Sequence, residues 1–177
     1  MLTPAPVQTT YTRFMNVGMV GMPATTYGWD IVTRLAEDPT LTAGIAFGIV
    51  VSQGTLHGPR SAVKGIASGG LPIGITAADH TLPTFTGGAP VDTYNDGDNM
   101  AVMTRGDIWV SAVGTVVAGT QVYYNSATGA VGPSSITNAT ALVGAVWLTP
   151  EPLAASNIMA TATGTLAVVR LLAIAAL

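Results

Sequence analysis

Charged side chains are scarce in this sequence of 177 residues. Lysine, arginine, aspartate and glutamate together make up 8% of the chain, whereas about one-quarter is usual for a soluble domain. The surface must therefore be covered by glycine, alanine, threonine and serine, which protect a lone monomer poorly against association. Burial of this weakly polar surface between subunits solves that problem, so the composition favours a protein that works within an assembly.

Cysteine is absent, and this excludes a disulfide framework and a thiolate metal site. Basic residues are also few: Lys64 is the single lysine, and the net charge is −3. Binding to nucleic acid requires clustered lysine and arginine to displace counterions from phosphates. We therefore expect no nucleic-acid partner.

Long hydrophobic runs are lacking as well. Residues 1–6 have neither the basic region nor the apolar region of a signal peptide. The stretch 166–177 is apolar, but it is interrupted by Arg170 and is shorter than the roughly 20 residues that a membrane span requires. We therefore expect no membrane partner, and we interpret this stretch as a buried strand with a tail.

Histidine is the scarcest of the side chains that often act in catalysis, with only His57 and His80. A Ser-His-Asp triad is defined by geometry rather than by sequence position, and no Gly-x-Ser-x-Gly pattern is present. The glycine-rich stretch 65–70 lacks the Lys-Ser/Thr ending of a phosphate-binding loop. We therefore predict no catalytic residue and no enzymatic activity.

Three aspartates, Asp92, Asp96 and Asp98, lie close together in the chain. Their oxygens could hold Ca²⁺, but their spacing does not fit an EF-hand loop, which would need a glutamate at its end. Aspartate and asparagine side chains that accept hydrogen bonds from nearby backbone N–H groups explain the cluster better. We predict a turn without a metal, and a bound cation is the alternative.

The chain divides into two regions of different pattern. Residues 1–44 begin with a proline-rich run that favours extended backbone, and they are predicted to form an N-terminal arm that becomes ordered on a partner surface. Within the arm, residues 30–38 are compatible with a short helix, because Ile31 and Leu35 are four positions apart, or with an extended segment. Residues 45–177 are predicted to form a β-rich core domain.

Short apolar runs separated by turn residues characterise the second region, and they recur roughly every 8 to 15 residues, which indicates a barrel or a sandwich. Two hairpins are expected, one with its turn at residues 105–106 and one with its turn at 125–129. The polar or glycine-rich stretches 54–70 and 78–99 are predicted to be long loops that are functional or docked on a neighbour. The predicted strands are 46–51, 71–77, 100–104, 107–113, 121–124, 130–131, 142–148 and 165–172.

Several of these segments carry a resemblance to a known family. Residues 94–110 combine Gly-Asp, a short apolar strand, a glycine and a second short apolar strand. Residues 117–131 combine an Ala-Gly turn, a Val-Tyr strand and a Thr-Gly turn, residues 164–171 look like a closing strand, and residues 46–50 look like a first core strand. Over about residues 44–172, the chain resembles the capsid cement, or head decoration, proteins of tailed phages.

With the arm inferred above, the resemblance implies a mainly β fold: a small β-barrel-like core, β-tulip or jelly-roll-like, with an extended N-terminal arm. It implies a virion structural protein without a cofactor, located on the outer capsid surface and assembled in the host cytoplasm. The implied partner is the major capsid protein, whose neighbouring subunits a homo-oligomer would bridge, as a trimer by preference or else a dimer. The alternatives are another virion component, associated with the tail or a fibre, and a free β-barrel that binds a ligand.

Large apolar residues near the N-terminus are the predicted contacts with the capsid. Flexible thioethers suit an adaptable apolar contact, and aromatic rings supply a large contact area. Docking is expected through residues 2–22 and through the loop region 54–99, whereas at least one of Trp109 and Trp147 is expected to be an ordinary core residue. The predicted contact residues are Leu2, Tyr11, Phe14, Met15, Met19, Met22 and Trp29.

Overall fold

All regular secondary structure in the part of the chain that the computed structural model describes is β-strand. The described residues are 18–25, 28–38, 44–66, 70–78, 93–148 and 165–172. Their eleven strands are β1 (Asp30–Glu37), β2 (Ile45–Ala46), β3 (Val50–Gln53), β4 (Ser61–Lys64), β5 (Pro72–Thr76), β6 (Thr93–Tyr94), β7 (Asn99–Ala112), β8 (Gln121–Asn125), β9 (Val131–Gly132), β10 (Ala139–Leu148) and β11 (Thr165–Leu171). The predicted mainly β fold is confirmed. A search of the same ranges for a helix that is long and apolar enough to cross a membrane finds none.

Five strands close into a barrel. Their order is β1-β4-β3-β5-β7, and the pairing of β1 with β7 completes the ring. Strands β1 and β4 run parallel, and the other four pairs of neighbours are antiparallel. Closure provides each of the five strands with a hydrogen-bonded neighbour on both sides, which removes unpaired edges. The predicted β-barrel-like core is therefore confirmed.

A second group of strands continues from the barrel in the order β7-β11-β10-β8-β9. Its last strand returns towards β7, because the backbone N–H of Val113 donates to the carbonyl of Val131 at 2.8 Å. The larger of two hydrophobic clusters includes buried residues of this group, among them Trp147 and Tyr124. The sheet therefore curves around this cluster, which it shares with barrel residues such as Val50, instead of ending in an open edge at β9.

The strands of the barrel are covered on both faces. Val50 and Val51 are adjacent and fully buried, yet they belong to different hydrophobic clusters. The same holds for Val102 and Met103 on β7. Successive side chains of a strand point to opposite faces, so each of these pairs contributes one side chain to each core. This explains why the apolar runs of the sequence do not alternate with charged residues.

Residues 30–37 form a strand, so the helical alternative for residues 30–38 is wrong. Residues 31–35 pair with residues 103–99 of β7, and residues 35–37 pair in parallel with β4. A helix would satisfy these backbone groups internally and leave the barrel open between β4 and β7. Although the sequence places it in the N-terminal arm, this segment is an integral part of the barrel.

The predicted hairpin turn at residues 105–106 is also wrong, because β7 runs straight through it. The register passes from Asp30 opposite Arg105 to Ile31 opposite Met103, so β7 has one extra residue here and forms a bulge. Gly106 adopts a φ of +116°, which suits glycine. The extra residue is Thr104, directly before the Arg-Gly pair, so the chain passes through a bulge at the point where β7 changes partners instead of reversing.

The second predicted hairpin is present, formed by β8 and β9. The side-chain Oδ1 of Asn125 accepts hydrogen bonds from the backbone N–H groups of Ala127 and Thr128 at 2.8 and 3.1 Å. The N–H of Gly129 donates to the carbonyl of Asn125 at 2.8 Å and closes the turn. The strands predicted at 142–148 and 165–172 are found as β10 and β11.

The two predicted loops contain regular structure. The stretch 54–70 includes β4, and the stretch 78–99 includes β6 and the first residue of β7. Strand β4 has only four residues, and buried Ser61 at its start is held by Glu37, a partner distant in sequence. The predicted strand 46–51 is divided between β2 and β3 by a turn in which Gly48 has a φ of +71°.

Replacement of Gly106 by alanine tests how closely β7 approaches Trp29 beside the bulge. An added Cβ would lie 2.6 Å from the Cβ of Trp29, in addition to the strain of a positive φ. We expect G106A to lower the free energy of unfolding by at least about 2 kcal/mol, measured by urea denaturation. Gly119 is the matched control, because it has a φ of +76° with no atom near its missing side chain. G119A should cost about 1–2 kcal/mol, and equal costs for both variants would contradict a close contact between Gly106 and Trp29.

Candidate assembly surface

Residues 18–25, called here the docked segment, lie along the edge of β7 that β1 leaves free beyond the bulge. The N–H of Gly21 donates to the carbonyl of Trp109 at 2.7 Å, and the N–H of Trp109 donates to the carbonyl of Met22 at 2.9 Å. The N–H of Ala24 donates to the carbonyl of Asp107 at 2.7 Å. The docked segment therefore pairs with β7 as a short additional strand would, and its backbone position is fixed.

Glycine at position 18 allows the docked segment to approach the sheet closely. A Cβ on Gly18 would collide with the indole ring of Trp109. Trp109 is largely buried, with 6% of its surface exposed, and Trp147 is fully buried, so both belong to the core. The expectation that at least one of these two tryptophans is an ordinary core residue is confirmed.

Three of the predicted contact residues lie in the described ranges, and all three are exposed. The exposed fractions are 47% for Met19, 41% for Met22 and 43% for Trp29. A turn brings the two methionines close together, since the N–H of Met22 donates to the carbonyl of Met19 at 3.0 Å. Met19, Met22 and the backbone that holds them are called the methionine surface below. The other predicted contacts, Leu2, Tyr11, Phe14 and Met15, lie outside the described residues.

Other exposed apolar side chains were not predicted, and Val143 on β10 is the most exposed of them at 78%. The pairing of β10 with β8 skips from Ala141 to Val146, which marks a second bulge. Inside this bulge, the side-chain Nε2 of Gln121 donates to the carbonyls of Leu142 and Ala145 at 2.6 and 3.0 Å. The bulge breaks the alternation of the strand, so simple periodicity could not show which of its residues faces solvent.

Buried Glu37 at the end of β1 fixes the turn between β3 and β4. Its Oε2 accepts hydrogen bonds from the N–H groups of Thr55 and Leu56 at 2.7 and 2.9 Å, and from the hydroxyl of Ser61 at 2.8 Å. A buried carboxylate is stable only when it is paired or hydrogen-bonded, and these three donors supply that compensation. The Glu37 carboxylate therefore has a structural role.

Asp96, in the turn between β6 and β7, joins two further elements. Its Oδ1 lies 2.9 Å from Nε2 of His57 and accepts a hydrogen bond from the N–H of Asp38 at 2.9 Å. Buried Asp38 in turn accepts a hydrogen bond from the N–H of Gly44 and lies 3.6 Å from Nζ of Lys64. The hydrogen bond with His57, followed by the bond from Asp38, lowers the pKa of Asp96 below its ordinary value of 3.8.

The described aspartates of the predicted turn, Asp96 and Asp98, therefore form hydrogen bonds with donors of the protein itself. Oδ2 of Asp98 accepts a hydrogen bond from the N–H of Asn95 at 2.7 Å, as expected for a local turn. A search of the described ranges finds no group of three or more side chains arranged to hold a metal ion. Asp92 and His80 lie outside the described residues.

Acid should remove the contribution of the Asp96 carboxylate to stability. A carboxyl group whose pKa is lower in the folded than in the unfolded state stabilises the fold above about pH 3.8. That contribution is lost as the pH falls through the lower, folded value. We expect D96N to reduce the urea midpoint at about pH 7, and the difference from wild type to shrink as the pH falls below about 3.8. In the H57A background, D96N should lower the urea midpoint by less than it does in the wild-type protein. An effect of D96N that does not change with pH would contradict this role of the Asp96 carboxylate.

Displacement of the docked segment should leave the rest of the sheet intact. We expect G18V to push residues 18–25 away from Trp109, because the larger side chain has no space there. Amide hydrogen exchange at Gly21 and Ala24 should then accelerate by at least about tenfold. The amides of β8 serve as the internal control and should be unchanged, whereas uniform acceleration would indicate global destabilisation instead.

The described carboxylates Glu37, Asp38 and Asp96 are engaged in structural hydrogen bonds, and the barrel carries apolar side chains on a fixed backbone at its surface. Such an arrangement suits contact with other macromolecules.

The comparison with protein families agrees. Residues 7–172 match the family model described as "Structural cement protein (E217 gp24/Pam3 gp6)", and the chain belongs to this phage cement family. The predicted membership is confirmed, and it assigns the chain a structural role.

The fold is also similar to a solved structure. A chain in "The capsid of Myoviridae Phage XM1" matches with a TM-score of 0.64 and 12% sequence identity. The match covers 97% of this chain and 100% of that chain. At this identity the similarity concerns the fold alone, and it extends over nearly the whole length of both proteins. No curated protein matches the chain.

Proposed function

We propose that this protein binds the outer surface of a phage capsid as a homo-oligomer and stabilises the shell by bridging neighbouring major capsid subunits. Membership of the cement family supports the capsid location. The observation that carries the proposed contact is the methionine surface, in which a hydrogen-bonded backbone holds two exposed thioethers in place. A contact site whose backbone is already ordered loses less entropy on binding.

The mechanism is burial of apolar area. Removal of about 100 Å² of apolar surface from water contributes roughly 2.5 kcal/mol, so a few side chains such as Met19 and Met22 suffice for a weak contact. A protein that touches two capsid subunits adds this area to the contacts that must be lost before the subunits separate. Many copies on a closed shell make weak contacts act together.

Self-association is proposed for a different reason. Only 8% of the residues are charged, and several apolar side chains outside the methionine surface are exposed, with Val143 and Leu56 at 78% and 64%. Apolar residues scattered singly are normal on a surface, but a surface with so few charges gives little protection against association. A homotrimer is the preferred state and a homodimer the alternative.

Charge placed on the methionine surface should abolish shell binding. We expect the double variant M19D/M22D to bind capsids prepared without this protein at least about tenfold more weakly than wild type, because apolar contacts would be replaced by desolvated carboxylates. Cosedimentation with shells measures this, and sizing of the same samples reports the oligomeric state.

Val117 supplies the matched control. It is 62% exposed in the turn before β8, so V117D introduces the same charged group at another exposed site. V117D should bind shells as wild type does. Unchanged binding by M19D/M22D would show that the methionine surface is not the contact, and failure of the wild-type protein to bind shells would overturn the proposed function itself.

A further inference from the structure

A cleft of about 240 Å³ opens where the end of β11 meets the bulge of β7. Arg105, Asp107, Arg170 and Leu172 contribute to its lining. These residues come from parts of the chain that are distant in sequence, since Asp107 and Arg170 are 63 positions apart. The cleft is thus a product of the fold.

The two arginines of the cleft are in different situations. Arg170 is bound to buried Asp107 through two hydrogen bonds, Nε to Oδ1 at 2.8 Å and Nη2 to Oδ2 at 2.9 Å. The pair joins two residues of the lining and uses Asp107, which is the only carboxylate among the described residues that line the cleft. Arg105 is exposed, and within the described residues no carboxylate forms an ion pair with it. The lining therefore keeps one uncompensated positive charge, in a chain whose net charge is −3.

Apolar side chains stand beside this charge. Trp29 contacts the cleft wall, because the Cβ position of Gly106 would lie only 2.6 Å from the Cβ of Trp29. Trp29 keeps 43% of its surface exposed, and Leu172 at the end of β11 is 59% exposed. An exposed leucine and the guanidinium of Arg105 thus line the depression, and an exposed tryptophan lies beside it. Aromatic residues and arginine are the residue types most often responsible for binding energy at interfaces.

We infer that this cleft binds an extended acidic segment of a capsid subunit. A carboxylate of that segment accepts hydrogen bonds from the guanidinium of Arg105, and a neighbouring apolar side chain packs against Trp29 and Leu172. Charge complementarity determines the sign of the occupant. A single surplus cation is sufficient for one carboxylate, whereas a nucleic-acid backbone requires a row of them.

The inference rests on the proposed function for the identity of the partner, but it concerns a second contact, separate from the methionine surface. Binding through the two contacts should depend differently on salt concentration. The methionine surface is apolar, so its binding should change little with ionic strength. An exposed Arg105–carboxylate contact is weakened by salt, because ions screen charges at the surface.

Reversal of the charge at Arg105 tests the cleft. We expect R105E to bind shells at least about tenfold more weakly than wild type, and R105Q to lose most of the salt dependence of binding. Binding is measured by cosedimentation with shells prepared without this protein, over a series of salt concentrations. R60E is the matched control, since Arg60 is also exposed, and its backbone carbonyl accepts a hydrogen bond from the N–H of Leu35 at 3.0 Å. R60E should bind as wild type does.

The outcomes separate the two proposals. If wild type binds shells and R105E binds equally well, the cleft is not a contact. The same holds if R105E and R60E lose the same affinity. Neither outcome affects the proposal that the methionine surface is a contact. If wild type does not bind shells at all, the proposed function fails, and the inference about the cleft fails with it. Thermal unfolding of each variant shows whether it is folded. If R105E is not folded, the binding of R105Q to shells shows whether the cleft is a contact. W29A should weaken binding without changing its salt dependence.

Discussion

Strand β7 forms hydrogen bonds with four different elements along its 14 residues. Its first half lies between β1 and β5 and closes the barrel, and its second half begins the outer sheet with β11. The docked segment occupies the edge that β1 leaves free. Because buried backbone groups must be paired, the bulge at Thr104 is what allows one strand to serve both halves. Both hydrophobic clusters and both proposed contacts depend on where this strand lies.

Local sequence pattern was sufficient to predict a hairpin where a strand and its partner are close in sequence. The hairpin of β8 and β9 was predictable because Asn125 and Gly129 determine the turn within a few residues. The turn assigned to residues 105–106 failed for the opposite reason. An Arg-Gly pair is compatible with a turn or a bulge, and the choice depends on β1 and β11, which lie far away in the chain. Strand β4 was missed because four residues give no detectable period.

The composition indicated the kind of contact but not its geometry. Met19, Met22 and Trp29 could be selected as apolar residues in a region rich in glycine, and the structure places all three at the surface. That Gly18 packs on Trp109 could not be predicted, since nothing in the sequence relates these positions. The cleft was equally hidden, because its ion pair joins Asp107 to Arg170 at the far end of the chain.

The scarcity of charge has a consequence for recognition. The buried carboxylates Glu37, Asp38 and Asp107 are used within the fold, so they are not available to an external partner. A buried ion pair adds little net stability to a fold compared with apolar packing, but removal of one partner is costly. Such pairs therefore determine the geometry of the fold more than they increase its stability. A surface left with few charges can discriminate between partners through a single cation such as Arg105, because little else competes for a carboxylate. In the proposed binding mode, apolar area supplies the affinity and one charge determines the orientation.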